Sequence, residues 1–400
     1  MIPRLKPDLS WKEIATLFKL NHSDDTLNFE IAFAELMGQR HAVFFPYGRT
    51  ALCFLLEAMS ISGKEVICPA YTCVVVPHAI ITAGNEPVFV DSHPQSFNMD
   101  WDQVEEATCE KTAAVIATSI FGHAVDLDSL KAYRKRHPEV IILQDCAHSY
   151  TASWKELPVQ REGHAAFFGS NVSKIITSIF GGMVTTDDDK LAGQLRENRK
   201  ARISETSVLR DLMLRLYLFT VWVSFQENIY GMTNAIERLG LLNRFVRYYD
   251  EGKIDMPNDY LFGTTPTQAR VGQIQCGRYG QIVKNRRIIA DFYNENLQNV
   301  GDLHLPPSDV GATYSHYVPQ TSHREAIMKH ALRKGVQMGQ LIEYCIPEMP
   351  AYKSRSGCRF NYTVASRLAK ETINLPISVG GSIEKAARVV ASLKSFPWSS

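Results

Sequence analysis

One lysine stands in an unusual setting for a solvated side chain. Residues 167–186 read FFGSNVSKIITSIFGGMVTT, so Lys174 lies in a small polar turn followed by an apolar run and two glycines. Such a lysine is either an ordinary surface residue or one placed inside the protein as a nucleophile or base. The stretch by itself leaves both interpretations open.

Two acid–base residues follow a predicted buried strand. In VIILQDCAHSY, residues 140–150, Asp145 closes the predicted buried strand. An acid there more often caps a helix or holds a structural hydrogen bond. His148, taken alone, is more simply interpreted as a satisfied polar residue.

A third feature is a glycine that precedes a helical pattern in PYGRTAL, residues 46–52. The amides at a helix N-terminus, the Thr50 hydroxyl and the Arg49 guanidinium could together seat a phosphate. A glycine before a helix is usually only a turn, so this motif is weak by itself.

Together, the three features fit the chemistry of pyridoxal 5'-phosphate. This cofactor needs a lysine amine for its Schiff base, a carboxylate at the pyridinium nitrogen and a cradle for its phosphate. Lys174 and Asp145 would meet the first two needs, and Ala147 would lie flat against the ring. Lys174 follows Asp145 by 29 residues, which is enough for the chain to return to the same site.

The elements that must position these residues alternate along the chain. Apolar strand candidates separated by helical patterns predict a doubly wound α/β domain, whose mostly parallel central sheet is covered by helices. Ligands of such a domain bind beyond the carboxyl ends of the strands. The predicted strands are residues 42–45, 65–68, 87–90, 113–118 and 140–143; the predicted helices between them are residues 50–59, 76–83 and 127–136.

The second half of the chain predicts a smaller domain. Turn residues at 256–266 suggest a boundary, with a large cofactor-binding domain at 1–255 and a smaller C-terminal α+β domain at 256–400. The large domain would include a helical insert at 205–250. Beyond the boundary we expect one long helix at 267–297, then short strands with helices at 324–334 and 383–394.

Composition excludes several classes of protein. The 400 residues are 45% hydrophobic and carry a formal net charge of +1, which gives no sign of a nucleic-acid partner. The eight cysteines show no zinc-ligand spacing, so we predict no metal site and reduced thiols in a cytoplasmic protein. The N-terminal residues show no apolar secretory segment.

Residues 212–225, LMLRLYLFTVWVSF, raise the question of a membrane. The stretch contains Arg215 and has 14 residues, fewer than the about 20 that a transmembrane helix needs. We therefore favour a buried or dimer-facing helix. An interfacial membrane contact and an apolar acceptor site are the alternatives.

Several motifs carry a resemblance to a known family. PYGRTAL resembles its "sGTaAL" phosphate loop, QDCAHSY its "eDaAqa.ga", and residues 167–186 its "fsf...K.i...gGGavvt". Residues 66–91 and the closing TINLPI also match. The chain thus resembles the DegT/StrS family of sugar aminotransferases, pyridoxal-phosphate enzymes of fold type I, almost from end to end.

The resemblance implies a role for each matching residue. Lys174 resembles the Schiff-base lysine and Asp145 the pyridinium partner. His148 stands where the family usually has Gln, near the cofactor's 3-hydroxyl. The cofactor contacts implied are Arg49, Thr50, Ala51, Tyr71, Asp145, Ala147, His148, Ser170 and Lys174. A homodimer is also implied, since the family usually completes each active site with the partner chain.

Three departures from the family pattern matter. The Asn and Arg that normally reach the phosphate across the dimer are absent from LFGT, residues 261–264, so we infer that Arg49 supplies that charge. Cys73 replaces an aromatic residue that often stacks on the cofactor, and Tyr71 is the substitute we predict. Glu348 stands where His is usual, which bears on the substrate.

The resemblance implies transfer of an amino group from an amino acid, with glutamate as the expected donor, to a keto-sugar that is most often nucleotide-linked. The setting would be amino-sugar, polysaccharide or secondary-metabolite biosynthesis. Dehydration, a hydrophobic or non-nucleotide substrate, and a non-catalytic regulatory homologue are the alternatives. Family members that dehydrate typically carry His in place of the lysine, so Lys174 argues for transamination. A nicotinamide dehydrogenase is disfavoured because no GxGxxG follows the first strand.

Overall fold

The computed structural model describes residues 1–239, 249–378 and 380–398. The helices are α1 (Trp11–Ala15), α2 (Asp25–Met37), α3 (Gly48–Ala58), α4 (Val75–Thr82), α5 (Trp101–Ala107), α6 (Leu127–Arg136), α7 (Asp189–Arg202), α8 (Val208–Ser224), α9 (Glu227–Arg238), α10 (Pro266–Asn296), α11 (Arg324–Arg333), α12 (Thr363–Glu371) and α13 (Ile383–Lys394). The strands are β1 (His41–Phe45), β2 (Glu65–Pro69), β3 (Glu86–Val90), β4 (Thr112–Thr118), β5 (Ile141–Asp145), β6 (Ser153–Trp154), β7 (Leu157–Pro158), β8 (Ala165–Gly169) and β9 (Gly182–Thr186).

Seven of the described strands form one twisted sheet in the order β1-β9-β8-β5-β4-β2-β3. Strand β9 runs antiparallel to both of its neighbours, and the other pairings are parallel. The strands are almost wholly buried, as expected for a sheet covered by helices on both faces. The predicted mostly parallel sheet is therefore confirmed, and the antiparallel β9 is an element that the sequence did not reveal.

The sheet explains how residues far apart in sequence reach one site. Asp145 is the last residue of β5, and Gly169 is the last residue of the neighbouring parallel strand β8. Both strands therefore end at the same edge. The chain then forms the turn that contains Lys174 and returns through β9, which begins at Gly182.

Helix α10 joins two parts of the core. Its first half contributes Ala269 and Tyr279 to the core under the sheet, and its second half contributes Ile289 and Tyr293 to a separate C-terminal core. The predicted boundary at residues 255 and 256 stays a prediction. Among the described residues after 300, the short strands that we expected are reduced to single bridges, such as that of Tyr317 with Leu375.

The apolar stretch at 212–225 lies largely in α8, which shows two different faces. Leu214 and Leu218 are buried beside Val271 of α10. The opposite face is exposed and apolar, and its members are Val208, Leu209, Leu212, Met213, Leu216 and Phe219. The predicted insert at 205–250 contains α8 and α9, but residues 240–248 lie outside the described residues. No helix in the described part of the chain combines the length and hydropathy of a membrane span.

Candidate active site

Asp145 is held in a buried position at the carboxyl end of β5. Asp145 is only 4% exposed, and its Oδ1 accepts a hydrogen bond of 3.0 Å from the backbone N–H of Ala147. Burial raises the pKa of this carboxyl to about 6, although the Ala147 N–H and the charge of Lys174 oppose the rise. A bound cation beside Asp145 would pull the pKa down again.

Lys174 lies in the turn between β8 and β9, as the sequence suggested. Its backbone N–H donates to the Asn171 carbonyl at 3.0 Å, and the residue is half-buried. Burial lowers the pKa of the amine, and the nearby Cys73 and Asp145 partly offset that effect. A larger share of the amine is therefore neutral at a given pH than for an exposed lysine, as a nucleophile or base requires.

Small residues leave room between the lysine and the acid. A Cβ placed on Gly169 would lie 3.8 Å from Cε of Lys174 and 3.9 Å from Cβ of Ala147. Lys174 and Ala147 therefore border the same space at the end of β8. Two predicted site residues, Lys174 and Ala147, therefore lie close together, and Ala147 belongs to the same chain segment as Asp145.

The loop around Lys174 is closed by short contacts. Ser170 donates its backbone N–H to the Gly181 carbonyl at 2.8 Å, and its Oγ lies 2.6 Å from Oγ of Ser178. A Cβ on Gly182 would lie 2.5 Å from the backbone nitrogen of Gly48. The absence of a side chain at Gly182 therefore permits close packing of β9 against the residues that begin α3.

The predicted phosphate seat is the N-terminus of α3. Tyr47 precedes the helix in an extended conformation, and no side chain caps the helix at this residue. The first turn begins with Gly48 and Arg49, so backbone N–H groups there are suited to an anion. The Ala51 N–H is already used by the Tyr47 carbonyl, and the buried Thr50 hydroxyl donates to the Tyr260 carbonyl at 3.0 Å.

His148 contacts two aromatic residues that the sequence did not connect with it. Its ring stacks on Phe121, with centroids 5.8 Å apart and an interplanar angle of 14°, and packs edge-on against His316 at 5.1 Å. Burial is the main cause that lowers the pKa of His148 well below its usual value, and Lys174 and His316 act in the same direction. This environment keeps the His148 imidazole neutral near neutral pH.

Tyr71 is fully buried. Its hydroxyl lies 3.1 Å from the Thr372 hydroxyl, and its ring centroid is 6.1 Å from that of Phe121. The half-buried Cys73 is close enough to Lys174 to affect the pKa of the amine. The stacking role of Tyr71 stays a prediction.

The residues present fit pyridoxal phosphate on structural grounds. Lys174 offers a partly neutral amine, Asp145 a buried carboxyl that lacks a cationic hydrogen-bond partner among the described side chains, and α3 an uncapped N-terminus. A side chain on Gly169 would intrude on the space between Lys174 and Ala147. Among the described residues, no group of three or more His, Cys, Asp or Glu side chains could hold a metal ion.

Two features of the site were missed at the level of sequence. One is His316, which lies more than 100 residues from every predicted site residue. The other is Asp259, which binds both Tyr47 and Arg210. Asp259 lies in the turn-rich segment that we interpreted as a domain boundary, and a polar residue in such a segment signals a turn before it signals a site.

A cavity of about 910 Å³ lies apart from these residues, beside α12. Its lining includes Glu348, the residue that stands in place of the usual His, together with Lys353, Phe360 and Arg367. Ile346, two residues before Glu348, connects this cavity with the site region. Its N–H donates to the Ala70 carbonyl at 3.0 Å. The cavity contains no predicted cofactor contact.

Comparison with known proteins places the chain among well-defined relatives. The sequence model of the DegT/DnrJ/EryC1/StrS aminotransferase family matches residues 12–216 and 223–394. A GDP-perosamine synthase of Escherichia coli O157:H7 is 24% identical over 406 residues, covering 99% of this chain and 98% of that protein. A GDP-perosamine synthase of Caulobacter vibrioides is 33% identical over 216 residues, which cover 54% of this chain and 55% of that protein.

Solved structures share the fold. The Helicobacter pylori PseC, an aminotransferase involved in pseudoaminic acid biosynthesis, superposes with a TM-score of 0.77 at 18% identity, covering 98% of each chain. The similarity of this structure concerns the arrangement of the chain, since the sequence identity is low.

Proposed function

Because the chain belongs to the DegT/DnrJ/EryC1/StrS aminotransferase family, we propose that it transfers an amino group from an amino acid to a keto-sugar. It is a pyridoxal-phosphate-dependent aminotransferase of fold type I. One observation carries the proposal: the buried Asp145 and the half-buried Lys174 meet at one edge of the sheet, where β9 also packs against the start of α3.

The cofactor, when bound, supplies an electron-accepting ring. Lys174 would hold it covalently through Nζ, and Asp145 would accept a hydrogen bond from its protonated ring nitrogen. Ala147 would lie against the ring because its small side chain borders the space beside Gly169.

The phosphate would bind at the N-terminus of α3. The uncapped first turn supplies backbone donors, and Arg49 supplies the positive charge. Thr50, Ala51 and Ser170 would line this end of the site. Tyr71 would stack on the cofactor ring.

Lys174 also performs the proton transfer. Once an amino substrate had displaced it, its neutral Nζ would take the proton from the substrate Cα and hold it for the next proton transfer. The lowered pKa of the amine favours this base role. The second half-reaction runs in reverse with the carbonyl acceptor, so the kinetics should be ping-pong.

The acceptor class is proposed from the relatives. Two are named GDP-perosamine synthases, and another, from Aneurinibacillus thermoaerophilus, is named as a dTDP-linked amino-sugar transaminase. These names support a nucleotide-linked keto-sugar as the acceptor and amino-sugar biosynthesis as the setting. Glutamate is the expected donor.

The exposed face of α8 supports a homodimer. A helix that is apolar on both faces is normally buried. Both arginines of α8 are already paired, Arg210 with Asp259 and Arg215 with Asp211, each at 2.9 Å. A membrane-surface helix typically presents free basic residues to lipid headgroups, so a second copy of the chain fits this face better. The eight free cysteines agree with a reducing, cytoplasmic location.

The test of the proposed function is spectroscopic. Purified protein loaded with pyridoxal phosphate should show a visible absorbance band that glutamate bleaches, with pyridoxamine phosphate released on denaturation. Lys174→Ala should abolish this response, whereas Lys200→Ala, on the exposed side of α7, should retain it. Amino transfer to one member of a panel of nucleotide-linked keto-sugars completes the test.

Other results would count against the proposal. A band that responds to no amino donor would point to a non-catalytic homologue. A protein that binds no cofactor after reconstitution would show that Lys174 has a structural role.

A further inference from the structure

Three rings pack together beside Lys174. His148 stacks on Phe121, and the ring of His316 meets His148 at an angle of 60° and Phe121 at 72°. The His148 ring is therefore supported on its face by Phe121 and from the side by His316. His316 is 3% exposed, so this support is part of the protein interior.

The backbone around these rings leaves little freedom. Phe121 adopts a left-handed φ of 56°, and a Cβ on the next residue, Gly122, would lie 2.7 Å from the backbone nitrogens of Ser315 and Tyr314. The Thr313 N–H also donates to the Gly122 carbonyl at 3.0 Å. The loop that carries Phe121 is thus fitted closely against the segment that carries His316.

One nitrogen of each imidazole has a defined neighbour. The Phe121 backbone N–H donates to Nδ1 of His148 at 3.4 Å, and Nδ1 of His316 lies 3.0 Å from Oγ of Ser315. A neutral His148 that accepts at Nδ1 must carry its proton on Nε2. Nε2 is then a hydrogen-bond donor, because Nδ1 already accepts from the Phe121 backbone N–H.

The charged surroundings favour neutral rings. The charged groups that act on the pair are Lys174 and Arg286, and Nη2 of Arg286 donates to Oδ2 of Asp8 at 2.8 Å. Burial lowers the pKa of His316 well below its usual value, with Lys174 and Arg286 acting in the same direction. A proton on either imidazole would add a second cation beside Lys174.

Resting on the proposed aminotransferase function, we propose that His316 is a positioning residue, which packs against His148 so that a neutral Nε2–H donor is presented to the Lys174 site. His316 acts through His148 and need not touch substrate or cofactor. Nothing in the sequence patterns assigns it a role. The role predicts that the volume and flatness of residue 316 matter more than its ability to titrate.

The first test uses the cofactor-free protein, with ¹⁵N-labelled histidine. His148→Gln identifies the His148 signals. In the wild type, these signals should show a single Nε2–H tautomer from pH 8 down to pH 6. His316→Ala should mix the two tautomers and bring the titration of His148 into this range, whereas His316→Phe should preserve the wild-type tautomer. His330→Ala, which removes a surface imidazole, should change nothing at His148.

The second test measures the amino-donor half-reaction. His316→Ala should slow it roughly tenfold to a hundredfold, as misplacement of a site group does, and shift its acid limb to higher pH. His316→Phe should restore most of the rate. The substrate KM should change less than kcat, since His316 need not touch substrate.

The outcomes separate this inference from the proposed function. Unchanged His148 signals in His316→Ala would overturn the positioning role, even in an active enzyme. His148 signals that are equally disturbed in His316→Phe would overturn the packing argument. In another outcome, His316→Ala loses the single His148 tautomer while the wild type shows no aminotransferase activity. That result would support the positioning role and show that the proposed function is wrong.

Discussion

The hydroxyl of Tyr47 donates to both carboxylate oxygens of Asp259, at 2.8 and 2.9 Å. Asp259 also binds Arg210 of α8 at 2.9 Å, and Tyr47 is the residue that leads into α3. Burial beside Asp259 raises the pKa of the Tyr47 hydroxyl, so it remains a donor throughout the working range of pH. The start of the proposed phosphate seat is therefore tied to the helix that carries the exposed apolar face.

We predict that Tyr47→Phe weakens the binding of the cofactor. The substitution keeps the ring but frees the backbone before α3, so a loss of about 1 kcal/mol, or about fivefold in Kd, is expected. Equilibrium dialysis of pyridoxal phosphate measures the effect. Tyr260→Phe is the control, because Thr50 uses the Tyr260 carbonyl and the substitution leaves that atom in place. Equal affinities in wild type and Tyr47→Phe would contradict the coupling.

Asp145→Asn should stabilise the cofactor-free protein while abolishing activity. The pKa of Asp145 is raised in the folded state to about 6, so the folded protein binds more protons than the unfolded chain between the two pKa values. Stability is therefore lost as pH rises through this window, by about 2–3 kcal/mol at neutral pH. Asn can still accept from the Ala147 N–H without a buried charge.

Denaturant unfolding at pH 5 and pH 8 checks the direction in which the Asp145 carboxyl changes the free energy of unfolding. The stabilisation of Asp145→Asn over wild type should be larger at pH 8 than at pH 5. Asp250→Asn, at an exposed position, should show no such difference. A mutant that is less stable than wild type at pH 8 would show that the carboxylate has a favourable partner in the folded protein.

Gly182→Ala should disrupt the site through the backbone. The added Cβ would lie 2.4 Å from the Tyr47 carbonyl oxygen and 2.5 Å from the Gly48 nitrogen, and neither backbone atom can move without displacing α3. We expect a lower melting temperature and weaker cofactor binding. Gly193→Ala in α7 is the matched control, since nothing lies within 4 Å of its new Cβ and alanine favours a helix by about 1 kcal/mol. A Gly182→Ala protein as stable as wild type would contradict this close packing.

Local sequence signals indicated five of the seven strands of the sheet, all except β8 and β9, and singled out two central residues of the proposed site. The predicted helix at 127–136 agrees with α6 in both bounds, and the predicted strand at 140–143 ends two residues before β5 does. Asp145 was recognisable because it closes an apolar strand, and Lys174 because a cationic residue is unusual in a turn that leads into an apolar run. Their approach follows from the parallel sheet, since parallel strands end at one edge.

Other parts of the site depend on contacts that no local pattern encodes. Strand β9 begins with glycine, and its antiparallel direction depends on pairing with β1, about 140 residues earlier in the chain. His316 sits in a segment without regular structure, where a lone histidine carries little information. Its role became visible only through its contact with His148.

The last prediction concerns the exposed face of α8. Leu212 and Leu216 are 61% and 66% exposed on a helix that is also apolar on its buried side. If a second copy covers this face, Leu216→Asp should convert a dimer into a monomer in sedimentation, because a buried unpaired carboxylate opposes association. The monomer's own melting temperature should change little, since Leu216 makes no contribution to the core of one chain.

Val310→Asp is the control for this experiment, as Val310 is 95% exposed and lies far along the chain from α8. It should leave the oligomeric state unchanged. Because Arg210 links α8 through Asp259 to Tyr47, the monomeric Leu216→Asp protein should also bind the cofactor less tightly. A Leu216→Asp protein that stays dimeric would show that the two copies meet elsewhere. A wild-type protein that is itself monomeric would show that a second copy does not cover the exposed face of α8.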